Sequence, residues 1–305
     1  MLLGVVFLDL GGEFLVRNAV RLSARIGVSS LVIGLTVVAF GTSAPELAAT
    51  LVSAFQGVPD IAIGNVIGSN IANVGLILGL TATIYPLQAT FQFIRREIPA
   101  TVVVGALLIP VLAGGMLGRW EGALLLLLLG AYLWYLFQND EKPMVDEIQE
   151  EVEGGDEAPL WRLAVGVAIG IVLLVVGARA LIEGAVTIAT ALGVPDRVIG
   201  LSLVAFGTSL PELASSVVAA VRKEADVILG NIVGSNIFNV LAVLGATAVI
   251  RPIPVDLGAT WVDIAIMLSF SLALLPMMAY GYKLGRKRGG TLVLAYVAYI
   301  VVLFG

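Results

Sequence analysis

Two long strings each occur twice in this chain, in one register, and any fold must accommodate both copies. VIGLTVVAFGTSAPELA at 32–48 returns as VIGLSLVAFGTSLPELA at 198–214, and IGNVIGSNIANV at 63–74 returns as LGNIVGSNIFNV at 229–240. One offset of 166 residues serves both blocks, and the register holds without a gap from about Val28 to Pro86. Two long blocks in one register mark an internal duplication.

Both copies lie in apolar surroundings. Five hydrophobic segments, at about 2–24, 30–55, 61–84, 98–118 and 120–137, precede an acidic stretch. Five more follow it, at about 160–190, 197–221, 226–250, 260–281 and 290–304. Most have the length with which a helix crosses a hydrocarbon core of roughly 30 Å. Hydrophobic residues make up 59% of the chain and charged residues 13%, against about 45–50% and about a quarter in soluble domains. Continuous apolar runs also exclude a transmembrane β-barrel, which would show short alternating strands. The expected fold is an all-α polytopic membrane protein with ten transmembrane helices.

Five spans per half is an odd number, so the second half must enter the membrane upside down, giving two inverted five-helix repeats. Lys and Arg concentrate in cytoplasmic loops, which tests this count independently. The loops between segments 1–2, 3–4, 5–6, 7–8 and 9–10 carry 12 basic residues, and the opposite loops carry 3. That split places both termini outside and the acidic stretch in the cytoplasm. The expected organisation is 1–138 as the first repeat, 139–159 as an acidic cytoplasmic linker and 160–305 as the second repeat. The linker, with nine acids between Asp140 and Glu157, reads as a solvated connection; it lacks the Gly-punctuated spacing of an EF-hand loop. No cleaved signal peptide is expected, because the start has no charged n-region and Asp9 interrupts the first apolar run. Glu13 with Arg17, and Arg179 with Glu183, are spaced i, i+4 and are expected to form intrahelical ion pairs.

The chain has no Cys and no His. This removes disulfides, thiolate and imidazole metal ligation and Ser–His chemistry, and no Ser–Lys pair or two-Asp motif stands at membrane depth. An enzyme is not expected, nor any bound cofactor or nucleic-acid partner.

Two acids stand well inside apolar segments at equivalent positions of the repeat, Glu46 and Glu212. An ionised carboxylate in hydrocarbon costs several kcal/mol, so such residues face a cavity, a partner or an ion. The polar groups around them in sequence are uncharged: Thr42, Ser43, Thr208 and Ser209, and on the next segments Asn65, Ser69, Asn70 and Asn73 with Asn231, Ser235, Asn236 and Asn239. An oxygen-rich set of this kind suits a hard cation. Pro45 and Pro211 each remove an amide donor and clash with the carbonyl four residues back, at Gly41 and Gly207. A helix broken there frees carbonyl oxygens, which at membrane depth are tolerated only beside a cavity or ligand. Interrupted spans at matching positions of two halves point to a transporter's binding site. Gly64, Gly68, Gly230 and Gly234 read as close helix packing. Asn70 and Asn236 suit interhelical hydrogen bonding as well as ion contact. Two carboxylates neutralise one Ca2+; the same oxygens can hold several Na+ instead, or the glutamates can be protonated.

The paired GTSAPE/GNVIGSNIAN and GTSLPE/GNIVGSNIFN motifs make the chain resemble the calcium/cation antiporter superfamily, in its prokaryotic sodium/calcium exchanger branch. The resemblance covers nearly the whole chain. It implies a ten-helix inverted-repeat fold with ion ligands on segments 2, 3, 7 and 8. It assigns Glu46, Glu212 and the carbonyls of Thr42 and Thr208 to calcium. It assigns sodium to Thr42, Ser43, Ser69 and the Ala39 carbonyl, and in the other half to Thr208, Ser209, Ser235 and the Ala205 carbonyl. Asn73 and Asn239 line the middle. Exchangers of this branch often carry an acid at the position of Asn239, and here both halves have Asn. The expected function is antiport of Ca2+ against Na+ by alternating access, in the cell membrane, with one chain enclosing the whole site and a monomer as the working unit. Proton/calcium antiport through the same glutamates, potassium-dependent exchange and a passive cation channel are the open alternatives.

Overall fold

A computed structural model describes residues 2–140, 158–192 and 205–304. Most of the acidic linker (141–157) and the segment 193–204, which holds Arg197 and the start of the second repeated block, lie outside the described residues. In chain order the helices are α1 (Leu2–Ile26), α2 (Ser30–Thr42) and α3 (Ala44–Gln56), α4 (Pro59–Ile84), α5 (Ile98–Leu112) and α6 (Arg119–Gln138). Beyond the linker come α7 (Leu160–Ala191), a helical turn Ala205–Thr208, α8 (Leu210–Arg222), α9 (Ala225–Ile250), α10 (Leu257–Ala279) and α11 (Arg286–Phe304). Among the described residues, α4, α6, α7, α9 and α10 are long and apolar enough to cross a membrane. The pair α2–α3, bent by 42° at its break, makes a sixth candidate. The protein is an all-α membrane protein.

The two helices that carry the repeated asparagines sit deepest. The most apolar window of α9 is 94% buried and that of α4 72%, whereas α6 keeps only 17% of its window inside. Glycine makes the central position of α9 possible. A Cβ on Gly230 would lie 2.6 Å from the Leu31 carbonyl oxygen, and one on Gly234 2.6 Å from that of Leu35. Both glycines therefore pack backbone to backbone against α2, as expected. Gly64 and Gly68 meet no described atom within 4 Å; the counterparts of Leu31 and Leu35, at 197 and 201, lie outside the described residues.

Among the described residues, four short strands tie the loops together. Leu87–Gln88 (β1) pairs antiparallel with Lys283–Leu284 (β4), and Met116–Leu117 (β2) with Ile253–Pro254 (β3). β1 and β3 are offset by 166 residues, as are the helix-interior prolines Pro110 and Pro276. The duplication thus extends beyond Pro86. After Gly115 (φ 73°) and Gly281 (φ 78°) the offset becomes 167, because the second copy inserts Tyr282 in the left-handed region (φ 48°). The fourth segment, expected to run to 118, ends as a helix at Leu112 because this turn and β2 follow.

One expectation about charge is corrected. Arg179 pairs with Glu183 along α7 at 2.8 Å, but Glu13 pairs with Arg222 at the end of α8 instead of with Arg17. Helix α1 packs on α8, so a partner on the neighbouring helix is available to Glu13. Glu97, just before α5, is buried and accepts a 2.7 Å bond from the Tyr132 hydroxyl of α6.

Gly57 and Lys223 close α3 and α8 at equivalent positions, with φ of 74° and 66°. A side chain in this conformation costs about 1–2 kcal/mol that glycine avoids, offset by glycine's larger loss of backbone entropy. Lys223→Gly is expected to stabilise the protein by about 0.5–1 kcal/mol, read as a higher thermal midpoint in detergent.

Candidate cation site

Helix α2 stops at Ser43 (φ −81°, ψ 5°) and α3 restarts with Pro45 in its first turn. The same break recurs at Ser209 (φ −88°, ψ 8°), with Pro211 in the first turn of α8. Proline lacks the N–H that would bond four residues back and is tolerated in a first helical turn, where that N–H has no intrahelical acceptor. Each break brings a carboxylate, Glu46 or Glu212, into the first turn of the restarted helix. The favourable end of a helix dipole for an anion is therefore where each acid sits.

Both glutamates are buried, at 1% and 0% exposure, and their contacts cross between the copies. The Ser209 hydroxyl donates to Glu46 Oε1 at 3.1 Å, and the Ser43 hydroxyl donates to Glu212 Oε1 at 3.3 Å. Ser69 on α4 stands 3.2 Å from Ser209 Oγ. Thr208 and Ser69 also face the Glu46 carboxylate, and Thr42 faces that of Glu212. The two carboxylates are near enough to interact electrostatically.

A layer of asparagines supports these groups. Asn231 accepts from the Thr42 hydroxyl at 3.1 Å and donates to Ser215 and Ser216. Asn65 accepts from the Thr208 hydroxyl at 3.4 Å and donates to the Glu46 backbone carbonyl and to Thr50. Sequence reasoning placed Asn65 and Asn231 nearby without a role. Their shared place in the repeat, one helix away from each broken span, was the available signal. Asn73 and Asn239 are fully buried where α4 and α9 widen into π-helical turns, Asn73–Leu78 and Asn239–Leu244. Such wide turns recur at functional positions.

The two copies differ in detail. The Ser43 amide bonds back to the Ala39 carbonyl at 3.0 Å, and the Thr42 hydroxyl reaches the same oxygen at 3.4 Å. The Ser209 amide bonds to Phe206 instead, at 3.2 Å. The Ser235 hydroxyl, counterpart of Ser69, has no hydrogen-bond partner.

The electrostatic balance of the cluster is incomplete. Six buried side-chain atoms among the described residues have no hydrogen-bond partner: Glu46 Oε2, Glu212 Oε2, Asn73 Oδ1, Asn239 Oδ1, Ser235 Oγ and Thr247 Oγ1. Every one is an oxygen. All but Thr247, in the last turns of α9, belong to residues singled out from the sequence. Buried polar atoms are ordinarily bonded, and unpartnered buried carboxylate oxygens are especially costly. No cluster of three or more acidic side chains, Cys or His exists among the described residues. The charge of the site thus comes from two carboxylates, and its other oxygens are neutral. This donor set fits hard cations.

An all-α membrane protein with a buried, oxygen-lined pair of glutamates at two helix breaks belongs to the class of ion transporters by its architecture. The family profile of the "Sodium/calcium exchanger protein" matches residues 1–138 and 162–305, and the chain belongs to that family. CaxA of Alkalimonas amylolytica is 39% identical over 313 residues, spanning 100% of this chain and 97% of that one. The sodium/calcium exchanger MaX1 of Methanosarcina acetivorans is 34% identical over 348 residues, again spanning 100% and 97%. Among solved structures, the sodium-calcium exchanger NCX_Mj soaked with zero Na+ and Ca2+ superposes with a TM-score of 0.86 at 33% identity, over 99% of this chain and 97% of that one.

If the unpartnered carboxylate oxygens are as costly as their burial implies, removing the charge relieves the cost. In buffer free of sodium and calcium, Glu46→Gln and Glu212→Gln are each expected to raise stability by about 1–3 kcal/mol. Calcium is expected to stabilise the unsubstituted protein and not the double variant; thermal unfolding in detergent with and without the ion checks both.

Proposed function

We propose that this protein is a secondary antiporter that exchanges Ca2+ for Na+ across the cell membrane by alternating access. The observation that carries this reading is the set of unpartnered buried oxygens, led by Oε2 of Glu46 and of Glu212. In this reading the two carboxylates, with the carbonyls of Thr42 and Thr208, hold Ca2+. Thr42, Ser43, Ser69 and the Ala39 carbonyl form one sodium site. Thr208, Ser209, Ser235 and the Ala205 carbonyl form the other, and Asn73 and Asn239 line the middle.

Coupling follows from shared ligands. Thr42 and Thr208 serve both ions, and every sodium hydroxyl from the breaks lies against a carboxylate that calcium needs. Two or more sodium ions and one calcium ion are therefore alternatives, and neither set binds fully while the other is present. Because the Ser–Glu contacts run between the copies, both halves sense which ion is bound. One chain supplies every ligand, so the working unit is a monomer.

The topology is ten spans in two inverted halves, 1–138 and 160–305, with both termini outside and the linker 139–159 in the cytoplasm. The strand pairings support this count. β1 and β4 lie in the loops before α5 and after α10, and β2 and β3 in the loops after α5 and before α10. A ten-span chain puts the members of each pair on one side of the membrane. Asp140, at the start of the linker, likewise caps Ser29 at 2.7 and 2.9 Å, joining two loops that this count makes cytoplasmic.

The test is calcium-45 uptake into proteoliposomes loaded with sodium and diluted into sodium-free buffer. Uptake is expected to require internal sodium and to be lost in Glu46→Gln and Glu212→Gln while both variants still insert. Normal uptake in both variants would discard the site, and uptake driven by a pH gradient without sodium would discard the counter-ion.

A further inference from the structure

We propose that Asn70 and Asn236 are positioning residues that set the polarity of the site's centre. They turn the side-chain oxygens of Asn239 and Asn73, and not the amide nitrogens, toward the ions. The proposal rests on the cation site proposed above and concerns how that site is kept fit for cations.

A primary amide is nearly symmetric in shape but opposite in polarity at its two ends. Turned by half a rotation, Asn73 or Asn239 would present hydrogen-bond donors to a cation. Something must forbid that turn, and here it is a relay that begins at two backbone carbonyls. Asn70 Nδ2 donates to the Asn236 backbone carbonyl at 3.2 Å, and Asn236 Nδ2 donates to that of Asn70 at 3.5 Å. A backbone carbonyl only accepts, so each of these amides must face it with nitrogen. Their oxygens are thereby turned the other way. Asn70 Oδ1 accepts from Asn239 Nδ2 at 3.0 Å, and Asn236 Oδ1 accepts from Asn73 Nδ2 at 3.0 Å.

With their nitrogens held in these bonds, Asn239 and Asn73 are left facing the centre with Oδ1, and those two oxygens are the ones without partners. All four side chains are at most 3% exposed, so water offers no competing partner that could reverse an amide. The same two backbone carbonyls also accept the Asn73 and Asn239 N–H bonds where the π-helical turns begin. A carbonyl has two lone pairs, and both are used. The orientation of the one prospective ligand on each helix is thus dictated by that helix's own backbone, relayed through an asparagine of the other helix.

Interhelical adhesion alone would give the same contacts, and a double-mutant cycle separates the two roles. The readout is the half-saturating Ca2+ concentration of sodium-driven uptake in proteoliposomes. Asn70→Ala frees Asn239 to turn and is expected to raise that concentration by about 10–100-fold, the usual range for residues that orient metal ligands. A carboxylate carries oxygen at both ends, so its orientation does not matter. In the Asn239→Asp background, where a carboxylate oxygen would face Asn70 Oδ1, Asn70→Ala is therefore expected to raise half-saturation by no more than about twofold, the scatter of non-interacting sites.

Asn236→Ala with Asn73→Asp is the mirror cycle, and it replaces the first if Asn70→Ala does not yield folded protein by size exclusion. Equal impairment by Asn70→Ala in both backgrounds, or no impairment in either, overturns the relay. Glu212→Gln is assayed alongside. If it transports normally, the cation site itself has failed; if it is inactive while the cycle shows equal impairment, only the relay has failed.

Discussion

Two carboxylates held away from water are the constraint around which the rest of this molecule is built. Each carries a desolvation cost of several kcal/mol that attraction or hydrogen bonding must offset. An intact helix cannot help, because its own amides and carbonyls are already paired. The breaks at Ser43 and Ser209 answer this by opening the helix beside each acid and placing the acid in a first turn. The remaining oxygens must come from neighbouring helices, so the asparagine-bearing helices α4 and α9 occupy the centre and α6, which carries none of these groups, lies outside. Gly230 and Gly234 then become necessary, since α9 reaches the breaks only if its backbone touches that of α2.

Duplication solves a second problem, the geometry of a site that must enclose an ion. One copy of the motif offers one acid, two hydroxyl residues and an asparagine-bearing helix. That set covers one side of a cation. The second copy covers the other, and the hydrogen bonds show how closely the copies interlock, because Ser43, Ser209, Thr42 and Thr208 each bond to a residue of the opposite copy. Interlocking is not identity. Ser69 approaches Ser209 while Ser235 has no partner, and Glu13 is tied to Arg222 while its counterpart Arg179 pairs along its own helix. The two copies therefore differ in their contacts even though their motifs match.

Much of this was legible in the sequence, for identifiable reasons. The repeat offset located both acids, and proline chemistry located both breaks to within two residues. Apolar length located the helices. What stayed hidden depends on tertiary contact. The π-helical turns at Asn73 and Asn239 leave no composition signal, because NVGLIL and NVLAVL read like the apolar runs on either side of them. Glu13 and Arg17 have ideal i, i+4 spacing, and only the proximity of α8 diverts Glu13 to Arg222. The single-residue slip at Tyr282 was open to the sequence as well, because Leu117–Gly118–Arg119 returns as Leu284–Gly285–Arg286 at an offset of 167 residues, and the matched strands and turns show the same step. The asparagine ring was open in principle, since four buried asparagines at repeat-related positions must bond to something. Their partners could not be read without the crossing of α4 and α9.

On the proposed reading, the same constraint explains why such a site exchanges ions instead of leaking them. With one calcium bound, the two carboxylates are neutralised and the loaded site can be enclosed by low-dielectric protein at little cost. With sodium bound, at least two ions are needed to reach the same balance. With nothing bound, enclosing the site means burying two like charges beside each other, whose repulsion adds to the desolvation of each. The barrier to occlusion is therefore lowest for the two loaded forms and highest for the empty one. The neutral centre sharpens this difference. Because Asn73 and Asn239 contribute oxygen without charge, they add coordination to either loaded form while leaving the charge requirement at two. An acid in place of Asn239 would add a third group whose protonation must be satisfied before the site closes. In this chain the charge that controls closure resides in Glu46 and Glu212 alone, and an ion set that fails to match it cannot pass through the occluded state cheaply.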